Sequence, residues 1–405
     1  MKPRLVPRNL RQSGRGRTTP EMMIHPKTRK GPYWHLSDRH GCWSYSTHSN
    51  MYRPRCYVPQ SEGGLYKEYE YLTEHVTLWD AATERMIQLK GRDALRFCDL
   101  VTTRSMLDKL PVGQARFALM CFENGNILVD PVVLRVAEDE IWLSTHTEVE
   151  PWCRGLLYGL DYDVTANEID VSPVQIQGPN SRLLIEKIVR KGIISPEVLD
   201  LKFYKCCHTK FNDLDVLVSR TGYSSEFGYE FFLYDATRNA DALWDVLVSE
   251  GEEFNLMVTA PSMIRALEAG IPWNGVDFDT ETNPFEVGLD RYVDLDKDDF
   301  IGRDALLQIK ADGVEQKLIG LTFDGEPLRW FNPDYFLLTD AFGKDAGYCT
   351  HAFYSPQLKR NIAHAIVEPS LSEPGTKLQV KVSLDAALLP AEVVATPFYD
   401  PKKNR

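Results

Sequence analysis

The spacing of apolar residues changes at about residue 315, and this change constrains the fold more than any other feature of the sequence. Beyond it, short apolar runs alternate with turns containing Gly, Pro and Asp, at 318–323, 335–338, 362–367, 377–382 and 392–395. Runs of this length between turn residues are typical of a small all-β domain. We therefore expect a C-terminal β-barrel-like domain over residues 315–405, with its boundary near Gly313.

The part upstream of that boundary mixes helix and strand patterns. Residues 86–90 alternate as a strand does, and residues 94–100 follow as a helical run with Asp93 as N-cap. Further predicted elements are a hairpin over 127–136 and 141–145, a strand over 227–234, and helices near 180–192, 239–250 and 261–270. The predicted fold class is α+β.

The charge distribution is uneven along the chain. The first 30 residues hold nine Lys or Arg residues and one acidic residue, Glu21, whereas the whole chain has a net charge of −12. This composition predicts a basic, disordered arm over residues 1–32. Two alternatives stay open, a targeting segment and a start codon placed too early, with Met22 or Met23 as the true first residue. The acidic balance of the whole chain argues against a nucleic-acid partner.

Localisation is predicted from patterns that the sequence lacks. No apolar run approaches the roughly 20 residues of a membrane-spanning helix, and no apolar segment follows the basic arm as in a secretory signal. The eight cysteines are scattered without a C-x-x-C pair, which favours a reduced, cytoplasmic protein. Cys206, Cys207 and His208 would point to alternate faces of a strand and could not close on one ion. We expect no membrane contact and no metal site.

The sequence lacks the motifs of nucleotide-binding enzymes and of serine hydrolases. The patterns G-x-x-x-x-G-K-[ST] and G-x-G-x-x-G are both absent, so neither ATP nor dinucleotide chemistry is expected. Residues 222–226 resemble the nucleophile turn of serine hydrolases, but the closing glycine is missing and a strand follows instead of a helix. A serine hydrolase is therefore not expected.

A Gly-rich turn leads into an aromatic strand at residues 220–233. Alternate side chains of a strand point to opposite faces, so Glu230 shares a face with Phe232 and Tyr234. A carboxylate among aromatic rings needs a strong donor partner. Two partners remain open, an Arg within the protein and the paired N–H groups of a guanidine-like heterocycle.

The same turn carries a resemblance to a known family. Thr221-Gly222-Tyr223 with Glu226, Gly228 and Glu230 is similar to the T-G-Y-T-G-E-x-G-[FY]-E signature of the glycine-cleavage T-protein (aminomethyltransferase) superfamily, which binds tetrahydrofolate. Further similar segments follow in order at 78–80, 125–130, 177–180, 267–270, 283–286, 299–303 and 354–356. Within the superfamily, the stretches 73–85, 123–134 and 277–286 most resemble the tetrahydrofolate-dependent demethylases, above all those acting on dimethylsulfoniopropionate.

The resemblance implies a three-domain cloverleaf around a central folate channel, with residues 33–314 as a core of two intertwined α+β domains. It implies that Glu230 holds the pterin ring, that Tyr223 lines it, and that Asp130 lies close to the reacting nitrogen. Phe117, Val129 and Gln177 complete the folate-binding set that we predict. The predicted cofactor is tetrahydrofolate, and Asp130 is the predicted catalytic residue.

One departure from the family pattern bears on the substrate. Aminomethyltransferases carry two successive acids where this chain has Val129 and Asp130, so the first, catalytic acid is missing. A methyl group on a positive sulfur or nitrogen leaves behind a neutral thioether or amine, which needs no proton, whereas an aryl ether benefits from a general acid. The expected donor is therefore a small sulfonium or quaternary ammonium acid. Aromatic faces suit such a cation, and the candidate substrate residues are Trp43, Tyr45, His48 and Trp273.

Three functional hypotheses stay open. The first is a tetrahydrofolate-dependent methyltransferase, or demethylase, acting on a small onium acid such as dimethylsulfoniopropionate. The second is an aminomethyltransferase or aryl O-demethylase of the same superfamily. The third is a non-enzymatic folate-binding protein, which ranks last because the K-G-C-[YF]-x-G-Q motif of those proteins is absent. The expected partner is a small-molecule methyl donor, and the expected oligomeric state is a monomer or homodimer.

Overall fold

The computed structural model describes residues 24–332, 334–383 and 386–401. Up to residue 168 the elements are, in chain order, α1 (Trp34–Arg39), β1 (Ser44–His48), β2 (Met51–Cys56), α2 (Leu65–Glu74), β3 (Val76–Asp80), β4 (Arg85–Lys90), α3 (Ala94–Val101), β5 (Gln114–Phe117), β6 (Met120–Cys121), β7 (Ile127–Val129), β8 (Val132–Ala137), β9 (Glu140–Thr145), α4 (Glu150–Gly159) and β10 (Thr165–Glu168). The next are β11 (Val171–Gln177), α5 (Ser181–Arg190), β12 (Cys206–Phe211), β13 (Leu214–Ser219), β14 (Gly228–Tyr234), α6 (Ala236–Gly251), β15 (Leu256–Val258), α7 (Met263–Glu268) and α8 (Arg303–Asp312). The last are β16 (Lys317–Phe323), β17 (Phe336–Thr339), β18 (Asp345–Ser355), β19 (Arg360–Val367), β20 (Lys377–Lys381) and β21 (Leu389–Val394).

Two sheets organise the part before residue 313. One has six strands in the order β12-β13-β14-β11-β3-β15, and the other has five in the order β10-β4-β9-β8-β5. Helices α5 and α6 pack against the six-stranded sheet through side chains such as Leu184 and Trp244, which have no exposed area. The sheets share a second apolar core, in which the ring centroids of Trp142 and Phe232 lie 6.4 Å apart. The six-stranded sheet is therefore buried on both faces.

Strand β14 has the side-chain alternation that the sequence predicts. Phe231 belongs to the core beneath α5 and α6, whereas Phe232 belongs to the core between the sheets. Glu230 lies opposite Gln175 of β11 in the antiparallel register. A carboxylate thus sits in the middle of a sheet whose remaining inner positions are mostly apolar.

The predicted C-terminal β domain is confirmed as a closed barrel of six strands in the order β16-β19-β18-β17-β20-β21. Five strands overlap the apolar runs predicted from the sequence, and β18 is the strand that those runs missed. Its eleven residues include Gly347, Thr350 and His351 at buried positions. These residues are buried although they are small or polar, so the strand does not show up as an apolar run in the sequence. Thr350 and His351 have hydrogen-bond partners in the folded chain.

The basic arm predicted over residues 1–32 lies largely outside the described residues. Its part from residue 24 onward has defined contacts, which differ from the disorder expected there. Arg29 forms a bridge with Met51 of β2, and its guanidinium donates to Glu168 at 2.7 Å. The charge-assisted hydrogen bond between Arg29 and Glu168 stabilises this part of the arm against the five-stranded sheet. Among the described residues, no helix is long and apolar enough to cross a membrane.

The barrel core gives a test of this packing. Leu321 of β16 is fully buried in the barrel interior. Leu321→Ala leaves a cavity there, and we expect it to lower the free energy of unfolding by about 2–5 kcal/mol. Chemical denaturation followed by circular dichroism measures the change.

The matched control is Leu307→Ala on α8, where the leucine is 39% exposed. The same deletion at this position is expected to change the free energy of unfolding by about 0.5 kcal/mol or less. Equal effects at the two positions would contradict the assignment of the barrel core.

Candidate active site

Glu230 is the most deeply buried acid of the site that the sequence predicts. It is 4% exposed, and Gln175 and Thr221 both donate hydrogen bonds to its carboxylate. Burial raises the pKa of Glu230 to about 8, with a further contribution from Glu84, while the bond from Thr221 acts in the opposite direction. The described residues provide no Arg or Lys ion pair to this carboxylate. The first of the two partners left open by the sequence, an Arg within the protein, is therefore not found there.

Gln177 braces the turn before β14. Its amide nitrogen donates to the carbonyl of Thr221 at 3.3 Å, and Ser224 donates to its amide oxygen. A Cβ at Gly222 or Gly228 would lie 2.4–2.5 Å from the Gln177 side chain. The two glycines therefore allow the turn to pack closely against the Gln177 side chain. This packing holds Thr221 near Glu230. The predicted folate contact of Gln177 stays a prediction, and its amide is already used by the turn.

Tyr223, Phe117 and Val129 have different surroundings. Tyr223 donates to the carbonyl of Pro272 at 3.4 Å, and burial raises its pKa, so its hydroxyl is protonated. The Phe117 ring makes an edge contact with Tyr292, with centroids 4.6 Å apart. Val129 is fully buried, and its side chain packs in the core around α3. Tyr223 therefore presents a polar group near Asp130 and Arg53. Phe117 and Val129 pack in apolar cores, and their predicted folate contacts stay predictions.

Asp130 follows directly after β7, at the point where Pro131 separates that strand from β8. Asn274 donates to its Oδ1 at 2.8 Å, and the Nε2 atom of His146 is 3.9 Å from the same oxygen. Burial raises the pKa of Asp130 to about 7, against the lowering effect of the Asn274 bond. A carboxyl group with this pKa can either accept or donate a proton near neutral pH.

Glu84 is an acid of the site that the sequence analysis did not single out. Its oxygens accept from Ser144 at 3.1 Å and from Gln175 at 3.0 Å. Gln175 thus bridges Glu84 and Glu230. Burial raises the pKa of Glu84, and nearby Arg53 lowers it. Like charges disfavour each other, so the charge of Glu84 contributes to the raised pKa of Glu230.

The sequence analysis also missed two arginines, Arg53 and Arg55. Both lie on β2, where residues two apart point to the same face. The Cζ atoms lie 5.4 Å (Arg53) and 4.5 Å (Arg55) from the centre of the Trp273 ring. Burial lowers the pKa of both guanidinium groups. The signal that could have found them is the spacing of two between the arginines in Arg53-Pro54-Arg55, which places both side chains on one face if the segment is a strand.

The two guanidinium groups have few partners. Arg55 donates to Ser46 at 2.7 Å, and within the described part of the chain neither arginine forms an ion pair with an acid. A buried, unpaired cation is costly, and a planar guanidinium binds a carboxylate through two parallel hydrogen bonds. The pair is therefore suited to an anionic group of a ligand.

Of the four predicted substrate residues, the structure brings His48 and Trp273 to this pair of arginines. The rings of His48 and His146 lie 4.6 Å apart. Burial, together with Arg53 and Arg55, lowers the pKa of His48 to about 4, and burial with His48 lowers that of His146 to about 3. Both imidazoles are therefore neutral at pH 7, and the positive charge at this end of the site comes from the arginines alone.

Trp43 and Tyr45 make aromatic contacts with other residues of the protein. Trp43 stacks on Trp330 with centroids 5.3 Å apart, donates to the carbonyl of Val58, and remains 46% exposed. Tyr45 packs edge-on against Tyr52 of the same hairpin. Their predicted substrate role stays a prediction, and the structure gives each an aromatic neighbour within the protein.

Arg265 of α7 links the turn before β14 to the end of the chain. In the structure its Nε donates to Glu226 at 2.8 Å and its Nη1 to the carbonyl of Tyr399 at 3.1 Å. Arg265 is 1% exposed and therefore holds the turn rather than facing the site.

The residues present fit a pterin ring. A buried carboxylate with a raised pKa gains a strong partner when paired N–H groups bind it, because such donors favour its charged form. Glu230 has this character. The observation that carries this fit is a buried carboxylate to which the described residues supply no cation.

Comparison with known proteins places the chain in a family. The GCVT N-terminal domain matches residues 35–297, and the glycine cleavage T-protein C-terminal barrel domain matches residues 316–400. Among curated relatives, a dimethylsulfoniopropionate demethylase of Ruegeria pomeroyi is 28% identical over 88% of this chain and 93% of the relative. An aminomethyltransferase of Koribacter versatilis is 31% identical over 85% of this chain and 90% of the relative.

The fold also has a counterpart among solved structures. The glycine cleavage system aminomethyltransferase T of Bartonella henselae superposes with a TM-score of 0.80, covering 92% of this chain and 98% of that one at 22% identity. This agreement and the closed barrel confirm the α+β cloverleaf expected from the sequence. The chain therefore belongs to the glycine cleavage T-protein family, a family of tetrahydrofolate-dependent transferases, as the motif at residues 221–230 predicted.

Proposed function

We propose that this enzyme moves a methyl group from a small sulfonium or quaternary ammonium acid, such as dimethylsulfoniopropionate, to N5 of tetrahydrofolate. The observation that carries the proposal is that one site holds both cationic and acidic groups. Arg53 and Arg55 form no ion pair with an acid of the described residues, and the buried acids Glu84, Asp130 and Glu230 belong to the same site. A donor with a carboxylate at one end and a cationic methyl-bearing atom at the other matches this arrangement.

The two arginines bind and orient the methyl donor. Arg53 and Arg55 hold the donor carboxylate through their planar guanidinium groups. Their own contact with Trp273 means that this ring already has a cation on it. The onium group is therefore directed away from Trp273 and toward Asp130, whose ionised form attracts it.

On the folate side, Glu230 holds the pterin through its buried carboxylate. When bound, tetrahydrofolate supplies the N5 nitrogen that accepts the methyl group. Asp130, held by Asn274, takes up the proton that N5 loses. Its pKa of about 7 is suited to this task, because roughly half of the groups are ionised at neutral pH. The donor leaves as a neutral thioether or amine, so no residue is needed to protonate it.

A second candidate is aryl O-demethylation, and the pKa of Asp130 favours it. An aryl methyl ether expels a phenolate, and a carboxyl group with a pKa of about 7 could protonate that oxygen. The arginine pair would then hold the carboxylate of a methoxybenzoate. The same site residues serve both candidates, so the donor has to be identified by experiment.

The donor test offers the purified enzyme tetrahydrofolate and, in separate tubes, dimethylsulfoniopropionate, glycine betaine, dimethylglycine and a methoxybenzoate. We expect 5-methyltetrahydrofolate by mass spectrometry with one of the two onium acids. Product from the methoxybenzoate alone would replace the proposal with the second candidate. 5-Methyltetrahydrofolate from dimethylglycine alone would contradict the requirement for a methyl group on a permanently positive sulfur or nitrogen.

Arginine variants test how the donor is held. Arg53→Met removes a charged, bidentate contact, and the loss of about 1.5–3 kcal/mol raises the KM for the donor about 10- to 100-fold. Arg53→Lys keeps the positive charge but loses the planar guanidinium. Its KM for the donor is expected to lie between that of the unaltered enzyme and that of Arg53→Met. Steady-state kinetics at saturating tetrahydrofolate measure both.

The control for these variants is Arg39→Met, because Arg39 lies on α1 in a surface ion pair with Asp245. It is expected to keep the KM of the unaltered enzyme. A KM for the donor that is unchanged in Arg53→Met would contradict the role of the arginine pair.

A further inference from the structure

Three potential metal ligands meet where the barrel contacts the segment after α7. Asp277 lies in that segment, His351 is on β18 and His364 is on β19. All three are buried, and their ligand atoms lie within 4.8 Å of one another. The Nδ1 atoms of His351 and His364 are each 3.0 Å from one of the two carboxylate oxygens of Asp277. The two imidazoles therefore approach the two oxygens separately.

We propose that Asp277, His351 and His364 form a binding site for one divalent first-row transition-metal ion, with Zn²⁺ as the ion to test. Two imidazoles and a carboxylate are a ligand set that Zn²⁺ and its neighbours in the series accept. In a tetrahedral site, bonds of about 2.0–2.2 Å to one ion place neighbouring ligand atoms roughly 3.3–3.6 Å apart. Each histidine nitrogen is 3.0 Å from an Asp277 oxygen, and all the ligand atoms lie within 4.8 Å of one another, so the three side chains are close enough to share one ion.

The surroundings of the carboxylate also suit a ligand. The Asp277 oxygens accept two further hydrogen bonds, from the Thr350 hydroxyl and from the backbone N–H of Trp273. Carboxylates that bind metals are usually oriented by such outer hydrogen bonds. The side chain of Asp277 has no exposed area, so water does not compete for its lone pairs.

The orientation of the histidines leaves only their Nδ1 atoms for coordination. The Nε2 atom of His351 is buried and has no hydrogen-bond partner in the described part of the chain. The ring of His351 lies edge-on to Trp273, and that of His364 stacks on Phe398. These aromatic neighbours fix both rings with Nδ1 toward Asp277. An imidazole binds a metal through a nitrogen without a proton, so in the ion-bound state the proton of each ring is on Nε2.

The position of the site indicates what the ion does. Two barrel strands and the segment after α7 are joined at one point, and the same segment presents Trp273 and Asn274 to the active site. The ion fastens that segment to the barrel. It is a structural ion, and the three ligands are positioning residues for the contact between Asn274 and Asp130. This inference does not depend on the identity of the methyl donor.

Metal content of the full-length chain is the first test. The purified protein is stripped with a chelator, incubated with Zn²⁺ or Co²⁺ alone, passed through a desalting column, and analysed by mass spectrometry for bound metal. We expect about one ion per chain and, with Co²⁺, visible d–d absorption without the charge-transfer band of a thiolate ligand. A chain that retains no ion, or a thiolate band, would overturn the proposal, because the cluster would then be hydrogen-bonded only.

Variants locate the ion. His364→Gln and Asp277→Asn each remove one ligand, and we expect the ion to be lost and the increase in melting temperature on Zn²⁺ addition to disappear. The matched control is His35→Gln, because His35 is a surface histidine that also contacts a carboxylate, that of Asp241. It should bind as the unaltered chain does. Metal retained by both ligand variants would place the ion elsewhere and contradict the proposal.

Circular dichroism checks that each variant is folded. If one of the two ligand variants does not fold, the other serves alone. The metal content and the cobalt spectrum of the unaltered chain decide the proposal without any variant.

Discussion

Burial of the Glu230 carboxylate in the middle of a two-sided sheet is the constraint on which the rest of the site depends. Removing an ionised carboxylate from water costs several kcal/mol unless donors or counter-charges compensate. Here Gln175 and Thr221 donate hydrogen bonds, no cation comes from the part of the chain that the structure describes, and the pKa of Glu230 rises to about 8. A ligand with paired N–H donors would therefore stabilise the ionised form of this carboxyl group. Much of the local architecture, from the glycines at 222 and 228 to the brace by Gln177, keeps this arrangement in place.

Elements far apart in the chain build the opposite side of the site. The hairpin of β1 and β2 contributes Arg53 and Arg55, and the segment after α7 contributes Trp273 and Asn274. Each is attached to another part of the fold, the hairpin through Arg29 and the segment through the barrel. The barrel is thus more than a terminal module, because its strands β18 and β19 anchor a segment that contacts Asp130.

The sequence predicted those features that depend on local pattern. Alternation along 227–234 was sufficient to place Glu230 on the face of Phe232, and five barrel strands were visible as apolar runs between turns. Strand β18 was missed, since its buried positions include Gly347 and His351, which have partners only in the folded chain. Asp277 and His351 are 74 residues apart, and Arg53 meets Trp273 from the opposite end of the core. Such encounters are set by tertiary packing, which spacing along one sequence does not reveal.

The claim that Glu230 is the pterin-binding group is tested most directly by the protons exchanged when tetrahydrofolate binds. With a pKa of about 8, Glu230 is mostly protonated at pH 7 in the free protein. N–H donors favour its ionised form, so the pKa falls on binding and a proton is released. Calorimetry under anaerobic conditions, in two buffers with different enthalpies of protonation, counts that proton. Asp130 also titrates near neutral pH, and Asp130→Asn removes its contribution. Release of close to one proton in Asp130→Asn as well as in the unaltered chain is the predicted result, and binding without proton release in both would contradict the account.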